Sequence, residues 1–99
     1  MNVVNFEEKA KEASSLLKMM GNEVRLQILC SLVDQKLTVG EINGLIDISQ
    51  SALSQHLAKL RTDGLVETER DGLNIYYRVC RPIVVDILRV LQSEFCPPE

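Results

Sequence analysis

The stretch SQSALSQHLAKLRTDG (residues 49–64), followed at once by LVETERDGLNIYYRVC (residues 65–80), decides the fold. In the first half the apolar positions Leu53, Leu57 and Leu60 recur at helical spacing. With Leu53 as the inward direction and about 100° per residue, Leu57 and Leu60 fall within about 40° of it and form one buried stripe. Ser49 is the N-cap and Gly64 the stop, so the helix spans about residues 49–63. After Gly64 the period changes to two. Leu73, Ile75, Tyr77 and Val79 fall on one face of a strand, and Asn74, Tyr76, Arg78 and Cys80 on the other. LVETER is the partner strand, and Asp71-Gly72 is a strong hairpin signal.

Upstream, Phe6, Ala10, Ala13, Leu17 and Met20 are spaced as one face of an amphipathic helix that Gly21 ends. Asn22 caps a second helix carrying Val24, Ile28, Leu29, Leu32 and Val33. Thr38 with Glu41 reads as a capping box that opens a short third helix with Val39, Ile42, Leu45 and Ile46. The tripeptide DIS (47–49) is the turn into the fourth helix. A last helix runs from Pro82 to about Phe95, before Pro97 and Pro98 end the order. The expected fold is mainly α with a β-hairpin wing. It is a single winged helix-turn-helix domain over residues 1–99, in the order α-α-α-α-β-β-α.

Composition limits the function. The 99 residues form one domain with a modest core, to which a dimer interface would add. The N-terminus MNVVNFEEK lacks the regions of a signal peptide, and Asp86 and Arg89 interrupt the most apolar late segment. The expectation is therefore a cytoplasmic protein with no membrane partner. Cys30, Cys80 and Cys96 match neither a disulfide framework, nor a zinc knuckle, nor a redox Cys-x-x-Cys.

The net charge of −3 argues mildly against nucleic acid, but its distribution weakens that objection. Residues 49–80 carry four basic residues (Lys59, Arg61, Arg70, Arg78) against four acidic ones, whereas residues 1–48 carry five against seven. The outer face of the fourth helix presents Ser51, Ser54, Gln55, Ala58, Lys59 and Thr62. A merely solvated face is ordinarily richer in Glu and Lys. Short hydroxyl and amide side chains are what a major groove accepts: Gln pairs with adenine, Ser with several base edges, and Ala meets a thymine methyl. Gln50, Ser51, Ser54 and Gln55 are therefore the candidate base readers, and Lys59 the phosphate contact. In the wing, Arg70 and Asn74 are candidates for the flanking backbone or minor groove. His56 lies about 60° from Leu53, at the edge of the stripe, and is placed near a phosphate rather than a base.

These residues resemble the ArsR/SmtB family of bacterial winged helix-turn-helix transcriptional repressors. The likeness covers nearly the whole chain. It rests on LLKMMGNEVRLQILCSL (16–32), LTVGEI (37–42), SQSALSQHLAKLRTDGLVETERDG (49–72) and IYYRV (75–79). The resemblance implies a homodimer held by residues 5–20 and 82–95, a double-stranded operator with inverted half-sites, and release of DNA on a signal. The apolar stripe Phe6, Ala10, Ala13 and Leu17 of the first helix and Val84, Ile87, Leu88 and Leu91 of the last are the expected dimer surfaces. The family's usual metal sites are missing their ligands. TVGEINGLI has no Cys or His, and PIVVDILRVLQSEFC has no His, so neither a metal nor a cofactor is expected. Cys30 and Cys96 resemble the thiol pair of the oxidant- and reactive-sulfur-sensing branch, the HlyU, BigR and SqrR type. That likeness implies that bridging the two cysteines controls operator affinity.

On the residues alone, Cys30 could equally be a small core hydrophobe, and Cys96 is the better thiol candidate. Cys80 is incidental. A thiol enzyme is excluded for want of a Cys-x-x-Cys, a His partner or a nucleotide loop. A regulator or anti-silencer without a working sensor, and a winged-helix protein-interaction module, remain as alternatives.

Overall fold

The computed structural model describes residues 6–96. Five helices and three short strands follow in the order α1 (Phe6–Met20), α2 (Glu23–Ser31), β1 (Leu37–Thr38), α3 (Val39–Leu45), α4 (Gln50–Thr62), β2 (Val66–Asp71), β3 (Asn74–Val79) and α5 (Pro82–Phe95). Asn5, Pro97 and Pro98, which bear on the expected dimer segment and chain end, lie outside the described residues.

The caps are where the sequence places them. Asn22 accepts from the Arg25 backbone N–H at 3.0 Å, and Ser49 from that of Ala52 at 3.2 Å. Thr38 and Glu41 form a reciprocal box, at 3.1 Å and 3.0 Å. Each satisfies a donor that a helix start would otherwise leave unpaired.

One core lies between the helices and the sheet. Ile28, Leu29 and Leu32 from the α2 region meet Ile42 and Ile46, and α4 adds Leu53, Leu57 and Leu60. Leu65 and Val66 close it from the wing side, and Val84 and Leu88 from α5.

Three sequence expectations need correction. The sheet has three strands, ordered β1-β3-β2, because Leu37 and Thr38 pair antiparallel with Tyr77 and Tyr76. A two-residue strand has no periodicity to read, and it forms only because β3 offers it a free edge. Leu45, assigned to the apolar set of α3, is exposed. Leu73 belongs to the turn rather than to the strand. Asp71 pairs with Asn74, leaving Gly72 and Leu73 as a two-residue loop. Gly72 has φ +65°, as a type II′ turn requires of its first central residue. Along β3, burial fades from the half-buried Val79 and Tyr77 to the exposed Ile75. The wing therefore projects beyond the core, with Leu73 97% exposed at its tip.

Candidate nucleic-acid interface and thiol pair

The seat of α4 is fixed from both ends. The Asn43 side-chain amide donates to the carbonyls of Ile48 (2.9 Å) and Ile46 (3.4 Å), which clasps the turn between α3 and α4. The sequence gives no periodic signal for this contact, although an Asn before a tight turn is a recognisable type. At the far end the backbone N–H of Leu65 donates to the Leu60 carbonyl at 2.9 Å as the chain turns through Gly64, at φ +78°. Between these points Leu53, Leu57 and Leu60 are buried.

The opposite face is as the wheel predicts. Ser51, Ser54, Gln55, Ala58, Lys59 and Thr62 are exposed, and His56 is half-buried at the margin; Gln50, in the first turn and outside the wheel's set, is exposed as well. The helix has no acidic residue, and its last turn carries Lys59 and Arg61. Lys59 pairs with Asp63 at 3.4 Å, one turn on. Arg61, passed over in the sequence reading, is also exposed. It shares a depression with Ser54, Ala58, Thr62 and the Tyr77 ring, where α4 faces the sheet.

On the wing, Arg70 and Asn74 are both exposed, and Arg70 Nε donates to the Gly72 carbonyl at 3.1 Å, which bends the guanidinium over the turn. Arg78 points to the same face as Glu67 and forms an ion pair with it. Lys36 reaches Glu69 at 3.0 Å and lies 4.9 Å from the Tyr76 ring centroid. That bond and the opposite charge raise the Lys36 pKa and lower that of Glu69. These pairs use Glu67 and Glu69 of the wing internally.

Cys30 and Cys96 are brought together. Both line one cleft between α2 and α5, with Leu26, Leu91, Gln92 and Phe95. Cys30 is half-buried in the last turn of α2, and Cys96 is exposed at the C-cap of α5. Burial pushes the Cys30 thiol above its ordinary value, and the neighbouring Cys96 adds to this. A hydrogen bond with the Gln92 side chain offsets it in part. Gln92 was not singled out in the sequence, because only the packing of α5 on α2 puts it beside Cys30. Cys80 lies elsewhere, its thiol donating to the Gly64 carbonyl at 3.2 Å. Among the described residues no three His, Cys, Asp or Glu side chains converge as a metal site.

The apolar surfaces left on the terminal helices differ from the expectation. On α1, Phe6 and Leu17 are exposed together with Ala10 and Ala13, while Leu16 and Met20 turn inward. On α5, Val84 and Leu88, expected to face a partner, are fully buried in the chain's own core. Exposed instead are Ile83, Val90 and Phe95, with Ile87 and Leu91 half-buried. An amphipathic pattern shows that a stripe is apolar, but not whether its own chain or another covers it.

Residues 22–68, which hold α2, the α3–α4 turn and the start of the wing, match the sequence profile of the bacterial regulatory protein, arsR family. The transcriptional activator HlyU of Vibrio cholerae is 45% identical over 96 residues, which cover 97% of this chain and 89% of that protein. The chain belongs to the ArsR family. The biofilm growth-associated repressor of Xylella fastidiosa is 38% identical over 95 residues, covering 96% of the chain and 83% of that protein. The structure of reduced HlyU from Vibrio cholerae superposes with a TM-score of 0.88 at 44% identity, over 93% of this chain and 97% of that one. This ArsR-family protein is thus a winged-helix transcriptional regulator and not an enzyme. Its likeness to HlyU and the Xylella repressor supports the branch that the cysteine pair suggested.

Proposed function

We propose that this regulator acts as a symmetric dimer on an inverted-repeat operator, and that bridging Cys30 to Cys96 lowers its affinity for that DNA. The observation that carries the proposal is the shared cleft. Two cysteines 66 positions apart in sequence (96 − 30) line the same small groove between α2 and α5, whereas Cys80 does not. Two thiols in one cleft make an intramolecular bridge entropically cheap compared with any intermolecular one.

The exposed Gln50, Ser51, Ser54 and Gln55 read base edges, and Lys59 and Arg61 meet phosphates. His56 packs at the helix margin within reach of the backbone. Arg70 and Asn74 of the wing touch the flanking groove. In support, α4 carries no carboxylate, and its N-terminal dipole end favours phosphate. Dimerisation uses the exposed apolar residues of α1 and α5 outside the thiol cleft, since Phe6, Leu17, Ile83 and Val90 are a large apolar surface for a 99-residue chain to leave in water. A symmetric pair repeats the recognition helix, and the two copies must be one turn of DNA apart, about 34 Å, to dock together.

A covalent tie between the end of α2 and the end of α5 changes how α5 packs. Because α5 contributes both to the core through Leu88 and to the dimer surface, the change reorients the two recognition helices. A coupling of about 1–3 kcal/mol weakens binding roughly 5- to 150-fold. The test is operator binding of the reduced protein against protein treated with a disulfide or persulfide donor, with the bridge located by peptide mass spectrometry. A treated protein that carries the bridge and still binds as tightly as the reduced form refutes the proposal.

A further inference from the structure

The cleft that holds the two thiols also has a chemical character of its own. Its volume is about 470 Å³, within the range of small-molecule sites. Leu26, Leu91 and Phe95 supply its walls, and Phe95 stands 75% exposed at its edge. Among the described residues, the only ionisable side chain lining it besides the thiols is Glu23, and no Lys, Arg or His does. We propose that this cleft selects the co-reactant of the switch, favouring electrophiles carried on an uncharged, apolar organic group over small hydrophilic or anionic ones.

This inference rests on the thiol-pair reading above and adds the class of molecule that oxidises the pair. An apolar group covers Leu26, Leu91 and Phe95 as it enters, and it brings its electrophilic atom to the thiols. An anionic oxidant meets Glu23 and, among the described residues, no lining cation to offset it. Cys30 needs such delivery more than an exposed cysteine would, because it is half-buried and its burial disfavours the thiolate.

Two co-reactant chemistries share this description. With an organic hydroperoxide, one thiolate attacks the outer peroxide oxygen. The O–O bond breaks, the alcohol leaves with a proton, and the cysteine becomes a sulfenic acid. The second thiol then displaces water and the disulfide closes, so two thiols and ROOH give one disulfide, ROH and water. With an apolar disulfide, one thiolate attacks a sulfur and releases the first organic thiol. The second cysteine displaces the other, so two thiols and RSSR give one protein disulfide and two RSH.

The experiment measures the rate of Cys30–Cys96 bridge formation in the full chain by stopped-flow and mass spectrometry. Matched pairs separate the two chemistries: cumene hydroperoxide against hydrogen peroxide, and 2,2′-dithiodipyridine against glutathione disulfide. Each rate is divided by the rate with the denaturant-unfolded chain, which cancels intrinsic reactivity. Burial of an aromatic group predicts a normalised preference on the order of 10- to 50-fold for the apolar member of at least one pair. Phe95→Ser, at an exposed position, should cut that preference several-fold and leave the hydrogen peroxide rate unchanged, and Phe95→Leu should restore it. Glu23→Gln should speed glutathione disulfide alone.

Normalised ratios near one in both pairs, with the bridge still forming, overturn the selectivity and spare the thiol switch. A preference that Phe95→Ser leaves untouched also overturns it. Slow reaction with every oxidant that Leu17→Glu relieves shows that a second copy of the chain fills the cleft instead. Failure of every oxidant to form the bridge in all variants refutes the thiol-pair reading itself.

Discussion

Replacing Gln55 by Ala tests whether α4 reads sequence at all. Gln55 is exposed on the face opposite Leu53, so its loss removes no core contact. Alanine is at least as good a helix former, so α4 should persist. A bidentate amide contact to a base is worth about 1–3 kcal/mol of discrimination. A symmetric dimer makes the contact in both half-sites, so even the lower figure sums to about 2 kcal/mol, roughly a 30-fold rise in Kd on the operator. On a random duplex the same variant should bind as the wild type does.

Lys59→Ala is the matched control. Lys59 is held by Asp63 at 3.4 Å, an exposed pair worth only about 0.3–0.5 kcal/mol, so the ammonium is free to turn to a phosphate. Its loss should weaken specific and random DNA alike. It should also flatten the slope of log K against log salt by about 0.9 for each half-site. The assay is fluorescence anisotropy at several salt concentrations, on a duplex selected from random sequence and on a scrambled one. If both variants lose the same factor on both duplexes, α4 does not read bases and the wheel argument is wrong.

Other consequences can be checked separately. Cys30→Ser and Cys96→Ser should each keep reduced-state DNA binding and lose the oxidant response, while Cys80→Ser keeps both; gel shifts before and after oxidation decide this. Alkylation should modify Cys96 faster than Cys30 at neutral pH. Burial raises the Cys30 pKa, so its thiolate is scarce below that raised value and the gap should narrow as pH climbs through it, as timed quenching and mass spectrometry would show. Leu17→Glu, in the exposed apolar face of α1, should shift sedimentation from dimer to monomer and weaken operator binding. Leu57→Ala, at a 1% exposed position, should cost about 2–5 kcal/mol, a large share of the roughly 5–15 kcal/mol typical of a small domain, with a matching drop in Tm.

By itself the sequence determined the local elements and their ends. Helical spacing at Leu53, Leu57 and Leu60, caps at Asn22, Thr38 and Ser49, and the Gly72 turn are short-range choices, settled by side-chain period and backbone hydrogen bonding within a few residues. The polar face of α4 was legible for the same reason, since one helix's inside fixes its outside. Tertiary structure decided whatever depends on which surfaces meet. Leu37 and Thr38 become a strand only because the edge of β3 is there to pair with. Val84 and Leu88 turn out to be core rather than interface, because an apolar stripe is equally satisfied by either neighbour. The placing of Cys30, Gln92 and Cys96 in one cleft likewise follows from the packing of α5 against α2, a contact between distant segments that no local pattern encodes.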